Sequence, residues 1–353
     1  MTESIPLFLL TGFLGSGKTT LLNYLVQQPA FARSLVIINE LGDISLDHLL
    51  VTRSAEDNIV QLSSGCICCS IRGDLAKTLR DISWRFSRNG VRQFEQVIIE
   101  TTGLAAPAAI IHTVMAEPKI ARQFRLQGVI VTVDAVNGLN TLARHREAQQ
   151  QVAVADLLLL TKTDLANPDQ QQALRAQLSQ LNLQAEQLGM TQGRIDPQQL
   201  LALDHIEPQG SHTPLSQWIN SSRFAADTAS TTATALLSPH TSALTSATAH
   251  ASPIQSHAFI IDTPLPFSQF EQWLNMMVAQ MAPNMLRIKG ILHIAGFPGP
   301  MVIHGVQHLF HPAEFMASWP DADKRSRLVF ITDGISREQL AQSLIKCGIE
   351  AVS

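Results

Sequence analysis

Three of the chain's four cysteines, Cys66, Cys68 and Cys69, fall within the four residues of "CICC". Three thiolates at that spacing can give three soft ligands to one tetrahedral ion, with water or another side chain as the fourth. Zn(II) suits such a site best, and Co(II) or Cu(I) would also bind. Redox chemistry is the rival reading, because Cys66 and Cys69 also make a C-x-x-C pair. The neighbours Cys68 and Cys69 are poorly placed to bridge each other without strain. Cys347, alone in "SLIKCGIEAV", reads as an inert, half-buried thiol.

A second group binds anions. "TGFLGSGKTT" carries Gly12, Gly17, Lys18 and Thr19 in the spacing of a phosphate-binding loop, between an apolar run and a helical pattern. Glycines let backbone amides approach a phosphate closely, and the helix that starts near Lys18 turns its positive end toward the same anion. Nucleotide contacts are therefore expected from Gly12, Gly15, Ser16, Gly17, Lys18, Thr19 and Thr20. Lys18 reaches the outer phosphates and the Thr19 hydroxyl ligates Mg2+. "EQVIIETTG" ends an apolar strand on Glu100, where a carboxylate that organises Mg2+ belongs, and Gly103 after it is expected as a further nucleotide contact. "LLLLTKTDLA" offers Lys162 and Asp164. A carboxylate there can accept both N–H groups of a guanine edge, and a lysine stem can lie over the base plane. Thr161 stands where an asparagine is usual, and its hydroxyl offers fewer hydrogen bonds. Glu40, Asp43 and Asp47 follow the second strand pattern.

These residues need a rigid frame. Short, continuous apolar runs alternate with amphipathic segments over the first two hundred residues, the pattern of a parallel sheet covered on both faces. The fold class is α/β: a phosphate-loop GTPase-like domain with a mainly parallel sheet, expected over residues 1–206. Between Ala225 and Ser252, 21 of 28 residues are Ala, Ser or Thr, too little to bury, so 207–256 is expected as a flexible linker. Scattered histidines, from His205 to His257, mark it. Residues 257–353 are expected as a smaller α+β unit of strands backed by two helices, for which a ferredoxin-like arrangement fits. The chain has 353 residues and a net charge of −4, which gives no electrostatic reason for nucleic acid or an anionic membrane as partner. Its longest apolar runs are far short of a membrane span, and no secretory signal pattern opens it. A cytoplasmic protein is expected.

Taken in order, "TGFLGSGKTTLL", "NELGDISLD", "GCICC", "ETTGLAAP" and "TKTD" resemble the CobW-like GTPases, a family regarded as chaperones or insertases for zinc or cobalt. "RIKGILHIAG" and "GVQHLF" resemble that family's C-terminal domain. The resemblance implies GTP and Mg2+ as ligands, with Lys18 and Glu100 at the reaction centre, and Zn(II) or Co(II) at Cys66, Cys68 and Cys69. It matches Glu40 to the family's acidic "NE" position, and it implies a client metalloprotein as partner. Homo-oligomerisation stays open. Two other classes also stay open: a phosphate-loop kinase of small molecules with structural cysteines, and a GTP-binding metal buffer without meaningful turnover.

Overall fold

The computed structural model describes residues 4–39, 51–53, 59–62, 67–70, 75–203, 254–310, 313–319 and 322–351. Glu40, Asp43, Asp47, Cys66 and the expected linker up to residue 253 lie outside these, as do the side chains of Cys68 and Cys69.

The first domain holds a nine-stranded sheet. Its strands are β1 (Ile5–Gly12), β2 (Ser34–Asn39), β3 (Val51–Arg53), β4 (Ile59–Leu62), β5 (Ile67–Ser70), β8 (Gln96–Thr101), β9 (Phe124–Asp134), β10 (Leu157–Thr161) and β11 (Glu186–Gly189). A two-residue hairpin, β6 (Ser87–Arg88) with β7 (Val91–Arg92), stands apart. The order is β11-β10-β9-β1-β8-β2-β5-β4-β3. Every pairing from β11 to β5 is parallel, and only β5-β4-β3 is antiparallel. The continuous apolar runs are the central strands because they are buried on both faces. Leu7 and Leu9 pack with α2 (Leu75–Arg85), α3 (Pro107–Ala116), α6 (Arg146–Ala153) and α7 (Pro168–Leu181). Phe8 and Leu10 pack oppositely with α1 (Lys18–Leu25) and α8 (Pro197–Leu201). Among the described residues, the short helices α4 (Pro118–Ala121) and α5 (Gly138–Arg144) also belong to this domain. Local chemistry agrees with the frame. In α7, Asn167 and Gln170 form a capping box, Pro168 opens the helix, and Leu174, Leu178 and Leu181 face the core.

The second unit is an antiparallel sheet of β12 (Ile254–Ile261), β13 (Met285–Leu292), β14 (Met301–Val306), β15 (Leu309–Phe310), β16 (Glu314–Phe315) and β17 (Ser326–Asp333). Its order is β12-β17-β13-β14-β15, with β16 also on β14. The helices α9 (Phe267–Met281) and α10 (Arg337–Lys346) cover one face through Phe270, Trp273, Met277, Leu340 and Leu344. A ferredoxin-like β-α-β-β-α-β unit ends on a strand, whereas this one ends on α10 after two inserted short strands. The other face meets the first domain: Ile254, Leu286, Val306 and Ile331 belong to the same apolar cluster as α6 and α7. The residue expected to start this unit, 257, falls inside β12. No helix among the described residues is long and apolar enough to cross a membrane.

Candidate functional site

The phosphate loop spans the gap between the end of β1 at Gly12 and the start of α1 at Lys18. Gly12 has φ +143°, and a Cβ there would lie 2.4 Å from Thr132 Oγ1, so no other residue fits without moving β9. Lys18 is 8% exposed. Its Nζ donates to the carbonyls of Gly12 at 2.9 Å and Phe13 at 3.2 Å, which curls the side chain back over the loop. The buried Ser16 hydroxyl shares a hydrogen bond with Thr132 Oγ1 at 2.7 Å. Gly15, Thr19 and Thr20 are exposed, and Gly17 caps α1.

Glu100, on β8 beside β1, is 2% exposed. The Thr19 hydroxyl donates to its Oε1 at 2.9 Å, so two residues 81 positions apart in the chain meet. Gly103 follows in a loop pressed against the phosphate loop, where a Cβ would come within 2.6 Å of the Leu14 nitrogen. Gln151 of α6 holds that loop by donating to the carbonyls of Gly103 and Ala105 at 3.0 and 3.2 Å.

At the end of β10, Thr161 is buried, and its hydroxyl donates to the Ser16 carbonyl at 2.8 Å. It braces the phosphate loop from below. Lys162 follows in the left-handed region, with φ +57°, and its Nζ bonds Asp134 Oδ2 at 2.7 Å. Burial works to raise the Asp134 carboxyl. The Lys162 ammonium and the donors of Asn137 and Val136 outweigh it and hold the group below its ordinary value. Asp164 is exposed on the same loop. Lys162, Asp134 and residues 13–16 share the wall of a cavity of about 260 Å3 that runs behind the loop toward Leu142 and Gln151.

The backbone register relates this site to the cysteine strand. Leu10 of β1 pairs with Glu100, Glu100 with Ile38 of β2, and Ile38 with Ser70 of β5. Cys69 pairs with Ile37, one residue earlier. The backbone of Cys69 is thus one residue off the row that holds Glu100, and β5 is two strand spacings, ~10 Å, from β8. No cluster of three or more His, Cys, Asp or Glu side chains suited to a metal occurs among the described residues.

Sequence reasoning did not find Thr132, Asp134 or Gln151, nor the bracing part of Thr161. Asp134 had a usable signal, since it ends "QGVIVTVD" as Glu100 ends "EQVIIE". Gln151 had none.

Comparison with known proteins adds to the geometry. Residues 6–188 match the model described as the CobW/HypB/UreG nucleotide-binding domain, and residues 254–348 match the cobalamin synthesis protein CobW C-terminal domain. The zinc chaperone YjiA of Escherichia coli is 31% identical over 336 residues, 95% of this chain and 96% of that protein. The zinc-regulated GTPase metalloprotein activator 1 of Schizosaccharomyces pombe is 31% identical over 209 residues, 57% of this chain and half of that one. The crystal structure of Zn(II)-bound YjiA GTPase from E. coli superposes with a TM-score of 0.72 at 28% identity, covering 98% of this chain and 99% of that one.

Proposed function

The chain belongs to the CobW/HypB/UreG family, and from that premise we propose that it is a GTP-hydrolysing metallochaperone. It takes Zn(II) as cargo at Cys66, Cys68 and Cys69 with Glu40, and yields it to a client metalloprotein under control of the bound nucleotide. Co(II) is the second cargo the thiolates accept. Backbone amides of Gly12 to Gly17, with Thr20, surround the phosphates, and Lys18 donates to the outer phosphate oxygens. The Gly103 loop faces the γ-phosphate. Lys162 and Asp164 take the guanine, and the carboxylate selects it over adenine.

Thr19 Oγ1 and the Glu100 carboxylate are hard oxygen donors 2.9 Å apart, a donor pair that fits Mg2+. Thr19 and Glu100 would hold the ion, which would supply positive charge to offset the charge of the phosphates. In hydrolysis a water oxygen attacks the γ-phosphorus and the bond to the β–γ bridging oxygen breaks, leaving GDP and phosphate. Among the described residues no side chain stands out as a general base or arginine finger, and slow intrinsic turnover is the expectation that follows.

One observation carries the reading: the backbone row from Leu10 through Glu100 and Ile38 to Ser70. It supports a path of ~10 Å between the cysteine strand and the carboxylate that meets Thr19. Over that distance, the presence of a γ-phosphate can complete the zinc site, and hydrolysis can loosen it. The test measures Zn(II) affinity and GTP turnover together in this chain and in C66A, C68A and C69A. Each substitution should weaken zinc on the order of a hundredfold, as loss of one of a few ligands implies, and should remove the effect of zinc on turnover. Variants that keep both zinc affinity and turnover would end the reading.

A further inference from the structure

Asp134 is the last residue of β9 and pairs in register with Thr161, the residue before Lys162. Three donors of its own turn fix its carboxylate. The Val136 and Asn137 backbone amides donate to Oδ1 at 2.8 and 3.2 Å, and Asn137 Nδ2 donates to Oδ2 at 3.1 Å. Lys162 Nζ then bonds Oδ2 at 2.7 Å.

The two partners differ in exposure. The Asp134 side chain is 11% exposed and that of Lys162 is 38% exposed. An ion pair between two mobile surface groups contributes little, but here one partner is a fixed, nearly buried anchor. It ties down a flexible four-carbon side chain whose rotamers would otherwise have to be ordered by the ligand itself. The Lys162 backbone is also held in the left-handed region, a conformation that costs a non-glycine residue ~1 kcal/mol or more. Thr161, bonded to the Ser16 carbonyl, fixes the start of the same segment. Both ends of the lysine are therefore set before any ligand arrives.

We propose that Asp134 is a positioning residue for the guanine nucleotide: it sets the Lys162 stem as a preformed face for the base. This rests on the reading above that Lys162 and Asp164 receive guanine, and it adds a residue that determines affinity without touching the ligand.

The substitution D134N keeps a carbonyl oxygen to accept from Val136 and Asn137 but removes the charge that holds Lys162. The substitution K162M keeps an apolar stem and removes the ammonium. Binding of a fluorescent GTP analogue and of the matching GDP analogue to the full chain, with turnover, separates the outcomes. D134N should raise the Kd for both nucleotides about tenfold and by equal factors, because the γ-phosphate is not involved. KM should rise with kcat unchanged, and zinc affinity should stay. K162M should show the same loss, and D134N/K162M no more than either alone. D134E, which restores the charge, should recover part of the affinity. Either single variant binding within twofold of the parent chain, or losses that multiply in the double variant, would overturn the proposal. K162M changes a half-exposed side chain, so it decides the matter if D134N fails to fold. A parent chain that did not prefer GTP over ATP would instead overturn the guanine reading, and this inference with it.

Discussion

Thr161 occupies the position where an amide side chain is usual, and its place in the fold explains why a hydroxyl suffices. The residue is 3% exposed, its Oγ1 donates to the Ser16 carbonyl at 2.8 Å, and the Val133 carbonyl lies at 3.4 Å. Its methyl group lies about where a Cβ on Gly17 would touch it, at 3.4 Å. It therefore supports the phosphate loop rather than the base. T161V has nearly the same shape but no hydroxyl, so it removes the donor from the Ser16 carbonyl. The expected outcome is a loss of ~1 kcal/mol in urea unfolding together with weaker GTP binding, because the loop loses its brace. T161V with parental stability and affinity would show that the hydroxyl does not carry the loop. Residues whose partners are close in the chain, or whose motif names the partner, were legible from sequence. The motif spacing placed Gly12, Lys18 and Thr19 on one loop and Glu100 at the end of a core strand, but it did not give the Lys18 bond to the Gly12 carbonyl. The Lys162–Asp134 pair spans 28 residues and the Gln151–Gly103 pair 48. No spacing rule connects such residues until β9, β10 and α6 are assembled.

Among the elements, the parallel strands were legible because a strand buried on both faces is a continuous apolar run. Three shorter strands were not. β3, β5 and β11 have three or four residues each, and their sequences "VTR", "ICCS" and "EQLG" carry no alternation. β5 exists because β2 and β4 flank it, which is how the backbone of Cys68 and Cys69 comes to lie on the sheet. α6 shows the same dependence. "REAQQQVA" has one strongly apolar residue and no side-chain cap at its N-terminus, so tertiary contacts must hold it. Asn182, fully buried, supplies them at the other end. Its Nδ2 donates to the Val152 and Ala155 carbonyls at 2.8 and 3.0 Å. Its Oδ1 accepts from the Gln184 and Ala185 amides. N182A would leave two carbonyls and two amides buried without these partners. The expected loss is about 3 kcal/mol in urea unfolding. Because α6 also carries Gln151, GTP turnover should fall at denaturant concentrations where the parent chain is still fully active. A loss under ~1 kcal/mol would mean that water replaces the amide.

At the scale of the molecule, one carboxylate of the first domain pairs with two cations of the second. Asp156 lies just before β10 and is anchored by the Val129 amide, which donates to Oδ2 at 2.9 Å. Its Oδ1 faces Lys289 Nζ at 2.9 Å and the Arg287 guanidinium. Both cations stand on β13, and both are 6% exposed. Arg287 also donates to the Val154 carbonyl at 2.5 Å, and at the other end of α6 Arg146 pairs with Asp333. "RIKGIL" read alone places its cations toward water, and they are buried only because the first domain brings Asp156 to them. Burial pushes the Asp156 carboxyl up, but the charges of Arg287 and Lys289 and the Val129 amide outweigh it and hold the group well below the usual carboxylate range. A carboxyl whose folded-state pKa is depressed stabilises the fold above its unfolded value, about 4, and loses that contribution as pH falls below it. D156N should therefore cost about 3–5 kcal/mol at neutral pH, because two buried cations lose their partner. The gap between parent chain and variant should stay constant down to about pH 5 and narrow only below about pH 4. Urea titrations of both proteins across that range, followed by intrinsic tryptophan fluorescence, check both statements. A gap that closed between neutral pH and pH 5 would assign the stabilisation to another group. An absent gap would mean that the apolar contacts of Ile254, Leu286, Val306 and Ile331 dock the domains without the charge.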